Sequence, residues 1–484
     1  MFKLKSNKNQ KINETQLVQI LFYSFPLWFI VGNFAVNLNT FLFIAASLFI
    51  IQRKQLTFRF NNSYWLLIAF FLYFFISTTI QFQSAGFLSD EIQKYAINQN
   101  WSLINNPIIR SFFLIRFLIL IFVIDTLFFN KILNLKKLFL SSLLCTSFVC
   151  FDIILQYITG FDLFGYKRMG SWNMGPFGDE WIAGGYLKNF SFFSFFYIFE
   201  TFKNKKFGNL LLIFVIALHL VAILLSGNRM QMILFVFGCV LLIFLIKNLR
   251  FAMSVGLFIF LSTFFLLINY DKYENTNWYK ASYKLFINEI NIKKFIEINK
   301  DISTTQNRKR IELNENDKDP DAIVLPEKIS LLRGSGYNRI FRTSIEIWKE
   351  KPLFGFGYKS FRVKCWDMLA KDNAKRKINQ KPQYMSCANH AHNYYLEFLS
   401  EAGIIGTSLL VIFFLILLKD SFHYLKKYRQ QINSEINLLI PVIILFFLEI
   451  WPIKSTGSFF TTWGATFFWI NVAILIAAKT KKSF

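Results

Sequence analysis

The chain contains few of the residues that interrupt helices or supply reactive side chains, with 9 prolines, 5 cysteines and 4 histidines among 484 residues. It lacks the Gly-x-Ser-x-Gly pattern of serine hydrolases and shows no carboxylate pair of the kind that hydrolyses glycosides. It also lacks the alternation of apolar and polar residues that a transmembrane β-barrel requires. These absences argue against a serine or carboxylate nucleophile and against a β fold.

Apolar residues dominate what is present: 54% of the chain is hydrophobic, 62 residues are phenylalanine, and the mean hydropathy is +0.39. A helix that crosses a bilayer needs roughly 20 mainly apolar residues, and such runs recur along the chain. The sequence therefore predicts an all-α, polytopic membrane protein with about twelve transmembrane helices. The predicted spans lie near residues 17–36, 38–51, 64–80, 108–129, 138–158, 186–200, 208–225, 229–246, 251–269, 393–418, 436–451 and 459–478.

Positive charge is concentrated in alternate connections between these spans. Lysine and arginine outnumber aspartate and glutamate by 54 to 29, which gives a formal net charge of +25. The positive-inside rule accounts for this charge without nucleic acid and predicts that both termini are cytoplasmic. The basic connections contain Lys3/Lys5/Lys8/Lys11, Arg53/Lys54, Lys131/Lys136/Lys137, Lys203/Lys205/Lys206, Lys247/Arg250, Lys426/Lys427/Arg429 and Lys479/Lys481/Lys482.

One long connection, from about Tyr270 to Asn389, then lies outside the cytoplasm. Loops of this length are uncommon without a function. Its net basic charge suits an anionic ligand, although a merely solvated surface is an alternative. We therefore expect three parts: residues 1–269 with nine spans, a loop domain at 270–392 that contains short helices, and residues 393–484 with the last three spans.

Two cysteines fall within the long loop, Cys365 and Cys387. An oxidising bacterial periplasm permits a disulfide between them, and two free thiols are the alternative. Such a bond would hold the chain just ahead of His390.

Arginines on the predicted exterior side could hold an anion. Arg229 follows a very short connection between two spans, where it could also be an interfacial side chain that reaches lipid phosphates. The segment 336–348 reads as an amphipathic helix that ends before Pro352, with Arg339 and Arg342 projecting together. A pair of guanidinium groups matches a pyrophosphate. In this helix Ile340, Phe341, Ile345 and Trp348 are predicted to share the apolar side.

Alternatives remain for the second loop arginine and for the cation that follows it. Arg342 could simply pair with Glu346, one turn further on. The glycine-containing turn 352–362 is predicted to return the loop toward the membrane. It ends at Arg362, which either adds a third cation or faces water.

Two of the four histidines, His390 and His392, stand at the start of an apolar run. A metal site would need further ligands, which the H-x-H pair does not have in register. A general base needs one neutral imidazole near an acceptor hydroxyl, and the pKa of histidine suits that role. The alternative is a purely structural role as a helix N-cap, which Asn389 or Asn393 could supply without a histidine.

The run His392-Asn393-Tyr394-Tyr395-Leu396-Glu397, continued through Glu401-Ala402-Gly403 to Gly406, resembles the HN-x-x-L-E-x-L-x-E-x-G-x-x-G signature of the O-antigen ligase and polymerase superfamily. Residues 339–361 resemble its arginine-bearing helix and P-x-x-G-x-G turn. Residues 225–229 resemble its S-x-x-R segment. These pieces occur in the order of the family, and the predicted layout of spans agrees across nearly the whole chain.

The resemblance implies an inverting, metal-independent GT-C glycosyltransferase of the bacterial inner membrane that needs no cofactor. Its donor would be a glycan on undecaprenyl pyrophosphate. Arg229 and one of Arg339 or Arg342 would hold the donor pyrophosphate, and His392 would be the catalytic base. His390 and Arg362 would be accessory residues.

The acceptor that we expect is lipid A–core, as in an O-antigen ligase, because a single large late loop favours the ligase. An O-antigen polymerase, whose acceptor is a second lipid-linked repeat unit, is the alternative. A transporter or flippase for the same lipid is the third candidate, but the candidate residues gather at one face rather than at the bilayer midplane. The sugars and the oligomeric state are left open by the sequence.

Overall fold

The computed structural model describes residues 13–83, 106–202, 205, 207–272, 274–289, 336–374, 385–430 and 438–478. These residues form α-helices, two short 3₁₀ turns and no strand beyond two isolated β-bridges. The helices are α1 (Glu14–Tyr23), α2 (Phe25–Val31), α3 (Asn33–Arg53), α4 (Ser63–Gln83), α5 (Pro107–Phe113), α6 (Ile115–Phe129), α7 (Leu135–Thr159), α8 (Ala183–Phe202), α9 (Gly208–Leu225), α10 (Arg229–Leu245), α11 (Arg250–Tyr270), α12 (Trp278–Glu289), α13 (Gly336–Glu350), α14 (Phe361–Ala374), α15 (Tyr394–Gln430), α16 (Ile440–Ile450) and α17 (Thr462–Ala478).

The all-α prediction is confirmed for this part of the chain, and each predicted span coincides with at least one helix. Seven helical segments are long and apolar enough to cross a bilayer: α3, α4, α5 with α6, α7, α9, α11 and α15. The helices α10, α16 and α17 are apolar but shorter. The total of twelve spans therefore stays a prediction.

The first predicted span is interrupted, for a local reason. The helix stops at Ser24, and α2 then begins with Pro26 in its first turn, a position where the missing N–H of proline costs nothing. A second break follows at Gly32, whose φ of 119° ends α2 and starts α3. Short helices with these breaks replace the single uninterrupted span predicted near residues 17–36.

Basic connections meet at one end of the bundle, which we call the basic end. Lys54 Nζ donates to Thr15 Oγ1 at 2.6 Å, and Gln19 Nε2 donates to Ile132 O at 2.7 Å. These bonds bring the predicted basic connections after α3 and α6 to the same end as the start of α1. The other predicted basic residues at 3–11, 203, 206 and 479–482 lie outside the described residues.

The opposite end, which we call the loop end, gathers the connections that carry every candidate site residue. It comprises residues 160–182, 226–229, 271–272, 274–289, 336–374, 385–393 and 451–461. Hydrogen bonds at 2.8–3.2 Å join helices from distant parts of the sequence here: Tyr73 Oη to Ala402 O, Asn37 Nδ2 to Thr462 Oγ1, and Tyr157 Oη to Asp271 Oδ1. The site is thus assembled from both halves of the chain.

Candidate active site

A backbone dock fixes the turn after α13 against a kink in α15. At Gly403 the φ of 64° and ψ of −170° interrupt α15, so nearby backbone groups need partners outside the helix. The turn supplies them over 2.8–3.2 Å, in the pairs Phe356 N–Ser400 O, Gly357 N–Glu401 O, Ile404 N–Pro352 O and Ile405 N–Leu353 O. The predicted return of the loop toward the membrane helices is therefore a pairing of two main-chain segments.

This dock explains why both motifs require glycine. A Cβ on Gly403 would approach Leu353 O, and one on Gly355 would lie 2.5 Å from the carbonyl carbon of Glu401. Both glycines also have positive φ, which a side chain would strain. The P-x-x-G-x-G and E-x-G pieces of the sequence are two halves of one contact.

Asn393 positions the histidine segment at the start of α15. Its side-chain oxygen accepts from the backbone N–H of Tyr395 at 3.0 Å and of Leu396 at 3.2 Å, so it caps the helix. Its Nδ2 donates to Pro452 O at 2.8 Å and Lys454 O at 3.2 Å. The capping alternative is thereby satisfied by asparagine and leaves both histidines for another role.

The backbone of His392 is held in an uncommon conformation. Its φ is +54°, in the left-handed region, and its carbonyl accepts from Thr456 N at 2.9 Å. Residues other than glycine in this region are uncommon and carry strain of roughly 1–3 kcal/mol. The connection between α16 and α17 therefore fixes where this imidazole lies.

The two imidazoles lie together and are kept neutral. The ring centroids of His390 and His392 are 4.0 Å apart, and the Tyr337 ring meets His392 edge-on at 5.0 Å. Burial and the neighbouring His392 lower the pKa of His390 to about 4. Burial also lowers the pKa of His392 below its ordinary value of 6.5. A neutral imidazole can accept a proton, which is what a general base must do.

Helix α13 places both predicted loop arginines near this pair. Its first turn carries Tyr337, so Arg339 and Arg342 begin within one or two turns of the His392 contact. Arg339 is exposed and Arg342 is half-buried. The alternative partner of Arg342 is engaged elsewhere, because Glu346 pairs with Lys349 at 2.6 Å.

The buried face of α13 differs from the predicted one. Ile340 is buried as expected, but Phe341, Ile345 and Trp348 are only partly buried. The fully buried residues are Ile340, Thr343, Ser344 and Ile347. The two hydroxyls on the buried face bond to carbonyls, including Thr343 Oγ1 to Ser386 O at 3.0 Å, so the apolar pattern alone predicted the wrong face.

The predicted disulfide between Cys365 and Cys387 is present, with Cα atoms 5.3 Å apart. It joins α14 to the segment that leads to His390. Together with the Thr343–Ser386 bond, it anchors that segment to two helices. The approach to the histidines is thus fixed from both sides.

Arg229 lies in a second region of the loop end. It begins α10, and its Nη1 donates to Ser282 O of α12 at 2.9 Å. The turn before it is packed without spare room, since a Cβ on Gly227 would lie 2.5 Å from Trp172 Cδ1. Trp172 in turn stacks on the exposed Trp181, with centroids 4.6 Å apart. The turn before Arg229 thus packs against an aromatic pair from the 160–182 connection.

The cations that accompany the predicted Arg362 near the histidines were missed by sequence reasoning. Lys359 and Arg362 act electrostatically on the buried carboxylates of Glu397 and Glu401. Burial and the charges of Arg362 and Arg110 lower the pKa of Lys359 to about 7. Arg362, predicted as accessory, also acts on His390. The signal available in the sequence was an arginine within an apolar helix, at Arg116.

A buried ion triad, also missed, links the two regions. Glu449 of α16 pairs with Lys188 of α8 and, at 3.1 Å, with Lys454. The carbonyl of Lys454 holds Asn393, next to His392. At the first turn of α8, Gly184 N donates to the Asn228 side chain at 2.7 Å, next to Arg229. Helix α8 therefore touches both neighbourhoods.

The structure brings His390, His392 and Arg362 together and places α13 beside them, while Arg229 belongs to the neighbouring region across α8. Within the described residues, no group of three or more His, Cys, Asp and Glu side chains could hold a metal ion.

Residues 212–411 match the family model described as O-Antigen ligase. The matched stretch begins in α9 and ends in α15, and it contains all of the predicted site residues. It confirms the resemblance to the O-antigen ligase and polymerase superfamily. The curated proteins include no match to the chain.

Proposed function

We propose that the protein is an O-antigen ligase-like glycosyltransferase that moves a glycan from undecaprenyl pyrophosphate onto lipid A–core. The observation that carries this proposal is the His390–His392 pair, whose ring centroids lie 4.0 Å apart, held beside an arginine-bearing helix within the O-antigen ligase match. The reaction belongs to the inverting, metal-independent GT-C class. It takes place at the periplasmic face of the bacterial inner membrane.

Arginines stabilise the leaving group in this proposal. As the glycosyl–phosphate bond breaks, its electron pair moves to the departing diphosphate and negative charge grows there. Arg229 and one of Arg339 or Arg342 bind that diphosphate, because guanidinium groups remain charged and fork onto phosphate oxygens. Among the effects that enzymes use, stabilisation of charge that develops in the transition state commonly accelerates the reaction most.

His392 is the base. The acceptor hydroxyl attacks the anomeric carbon from the face opposite the diphosphate, which inverts that centre, and its proton moves to the neutral imidazole. His392 suits the role better than His390, because the Nε2 atom of His390 is buried. We assign His390 to packing against the base and Arg362 to an accessory role.

The loop end faces the periplasm in this proposal, and the basic end with both termini faces the cytoplasm. Residues 1–269 and 393–484 form the transmembrane bundle, and residues 270–392 form the periplasmic loop domain. The Cys365–Cys387 bond supports this orientation, because disulfides persist in oxidising compartments.

Reconstituted protein with a labelled lipid-linked glycan tests the proposal. Vesicles would receive lipid A–core, a second lipid-linked repeat unit, or both acceptors in competition. We expect label to appear on lipid A–core. Label only on the repeat unit would favour the polymerase, and movement of labelled lipid across the vesicle without transfer would favour a flippase and overturn the enzyme assignment.

A further inference from the structure

The cations beside the histidines outnumber the carboxylates they surround. Lys359 and Arg362 act electrostatically on two carboxylates, Glu397 and Glu401. Arg116 acts on Tyr358, and the Tyr358 ring centroid lies 5.3 Å from Lys359 Nζ. With all five groups ionised the balance is three positive charges against two negative, a net +1. A further cation, Arg110, acts on Lys359 from α5.

The two carboxylates are fully buried and Glu397 is already held by other donors. Glu397 accepts from Ser458 Oγ and from Phe459 N at 2.8 Å. The cations, in contrast, are only half-buried. Neutralising these carboxylates therefore does not account for all three cations.

Two of the arginines have unused donor capacity. The Nε–H groups of Arg116 and Arg362 are buried and meet no acceptor within the part of the chain that the structure describes. Arg116 lies within an apolar helix long enough to span a bilayer, where a charge is costly. Its hydrogen bond from Nη2 to Thr462 Oγ1 is long, at 3.4 Å. A buried donor without a partner in the protein is free to bond to an acceptor that a ligand brings.

The turn holds Lys359 next to Tyr358, with Lys359 Nζ 5.3 Å from the centroid of the tyrosine ring. Its φ is +59°, and it follows two glycines that the α15 dock holds in place. Arg362 opens α14, which the disulfide ties to the histidine segment. The dock therefore fixes the turn that carries Lys359, and the Cys365–Cys387 bond ties the helix of Arg362 to the segment that carries His390.

We propose that Arg116, Lys359 and Arg362 form a second anion subsite, apart from Arg229, that binds a phosphate group of the acceptor. Anchoring that phosphate places the acceptor hydroxyl at His392, so the inference rests on the proposed function. The phosphate has two sources: phosphate esters of lipid A–core, or the diphosphate of a second lipid-linked repeat unit. A bound anion also keeps Lys359 protonated.

Binding to the full chain in lipid nanodiscs tests the subsite without requiring transfer. The probes are lipid A–core, the same lipid after phosphatase treatment, and undecaprenyl pyrophosphate. We expect wild-type protein to bind phosphorylated lipid A–core at least about tenfold more tightly than the treated lipid, a typical gain for charge-assisted hydrogen bonds. Arg362→Gln and Arg116→Gln should remove most of that preference, and Arg362→Lys should retain part of it.

The matched control is Arg59→Gln, an exposed arginine over the Phe129 ring at the basic end, which should bind every probe as wild type does. If the diphosphate is the occupant, wild type will bind two molecules of undecaprenyl pyrophosphate and Arg362→Gln one. Binding of all probes unaltered by both variants, or weakened equally with and without phosphate, would overturn the subsite. If the binding pattern holds but wild type transfers no glycan, the subsite stands and the proposed function fails.

Discussion

The region around Arg229 and the region around His392 lie at the same end of the bundle but differ in their ratio of cations to carboxylates. Near Arg229, ion pairs are matched one to one: Arg168 with Asp271 at 3.0 Å and Lys167 with Glu274 at 3.4 Å. Near His392, cations are in excess. Lys188 and Lys454 share one carboxylate, Lys359 and Arg362 act on two, and Arg116 acts on the neighbouring Tyr358.

This difference indicates different tasks. Where ion pairs are matched, an arginine at the start of a helix can be held by hydrogen bonds, as Arg229 is by Ser282 O. A region with surplus cations that are buried or half-buried is costly unless an anion compensates them. Under the two proposals, the histidine region is where substrate charge would balance these cations, and the Arg229 region would present a single phosphate ligand.

The largest effect should come from the base. His392→Ala should lower the transfer rate by about 10²–10⁴-fold, because proton removal from the acceptor is lost. His390→Ala should have a smaller effect on the same rate. Both variants should retain the wild-type thermal midpoint in detergent. Full activity in His392→Ala would remove this residue from the mechanism.

The unequal charge balance predicts unequal costs for losing one carboxylate. Glu449→Gln leaves two buried lysines without a counter-charge, and breaking such a pair typically costs about 3–5 kcal/mol. Asp271→Asn should cost less, about 1–3 kcal/mol, because Arg168 keeps its bond to Gly170 O and its contacts with tyrosine rings.

Thermal unfolding in one detergent compares the two variants directly. Glu449→Gln should also lower the turnover rate, since Lys454 O would no longer hold Asn393 firmly. Equal losses of stability in both variants would mean that the two regions do not differ in the way their charges suggest.

Arg229→Gln should act on the donor and spare the acceptor. Losing one charge-assisted bond to the diphosphate should raise the donor KM by roughly 10–100-fold. The acceptor KM should change little, because Arg229 lies with α12 rather than with the histidines. Kinetics with each substrate varied in turn separate the two constants, and an unchanged donor KM would take Arg229 out of the donor site.

Sequence patterns predicted the parts of this site but not their pairing. The helix positions, the disulfide and the histidine at the start of α15 follow from local signals such as hydropathy and cysteine placement. The dock between Gly355 and Gly403 does not, because each glycine reads locally only as a turn or a kink. Their contact exists because a kink leaves backbone groups that a separate segment must satisfy.

Long-range ion pairs escaped prediction for a related reason. Lys188 and Glu449 are separated by 261 positions, and apolar periodicity shows which face of a helix is buried without naming its neighbour. Each residue was nevertheless visible as an ionisable group in an apolar run. The buried face of α13 was predicted incorrectly for a local reason. The hydroxyls of Thr343 and Ser344 donate hydrogen bonds to backbone carbonyls, so both polar residues can be buried.

The smallest expected effect is on the pH dependence of transfer. Within the histidine region, a pH profile separates the effect of His392 on the turnover rate from the effect of Lys359 on the acceptor KM. The pKa of His392 is lowered, so the neutral base persists below pH 6.5 and the turnover rate falls only at more acidic pH. Lys359 has a pKa of about 7, set by burial and by Arg362 and Arg110 against Glu401 and Glu397. It loses its charge as the pH rises above that value.

The acceptor KM should therefore rise by at most about tenfold between pH 7 and pH 8, as the charged fraction of Lys359 falls. Lys359→Arg should abolish this rise, because guanidinium stays charged, while leaving the acidic limb in place. A fall in turnover rate toward acidic pH that is centred at or above pH 6.5 would contradict a lowered pKa for His392. A rise in donor KM in place of acceptor KM would assign Lys359 to the diphosphate, and the two regions would then share one anion site.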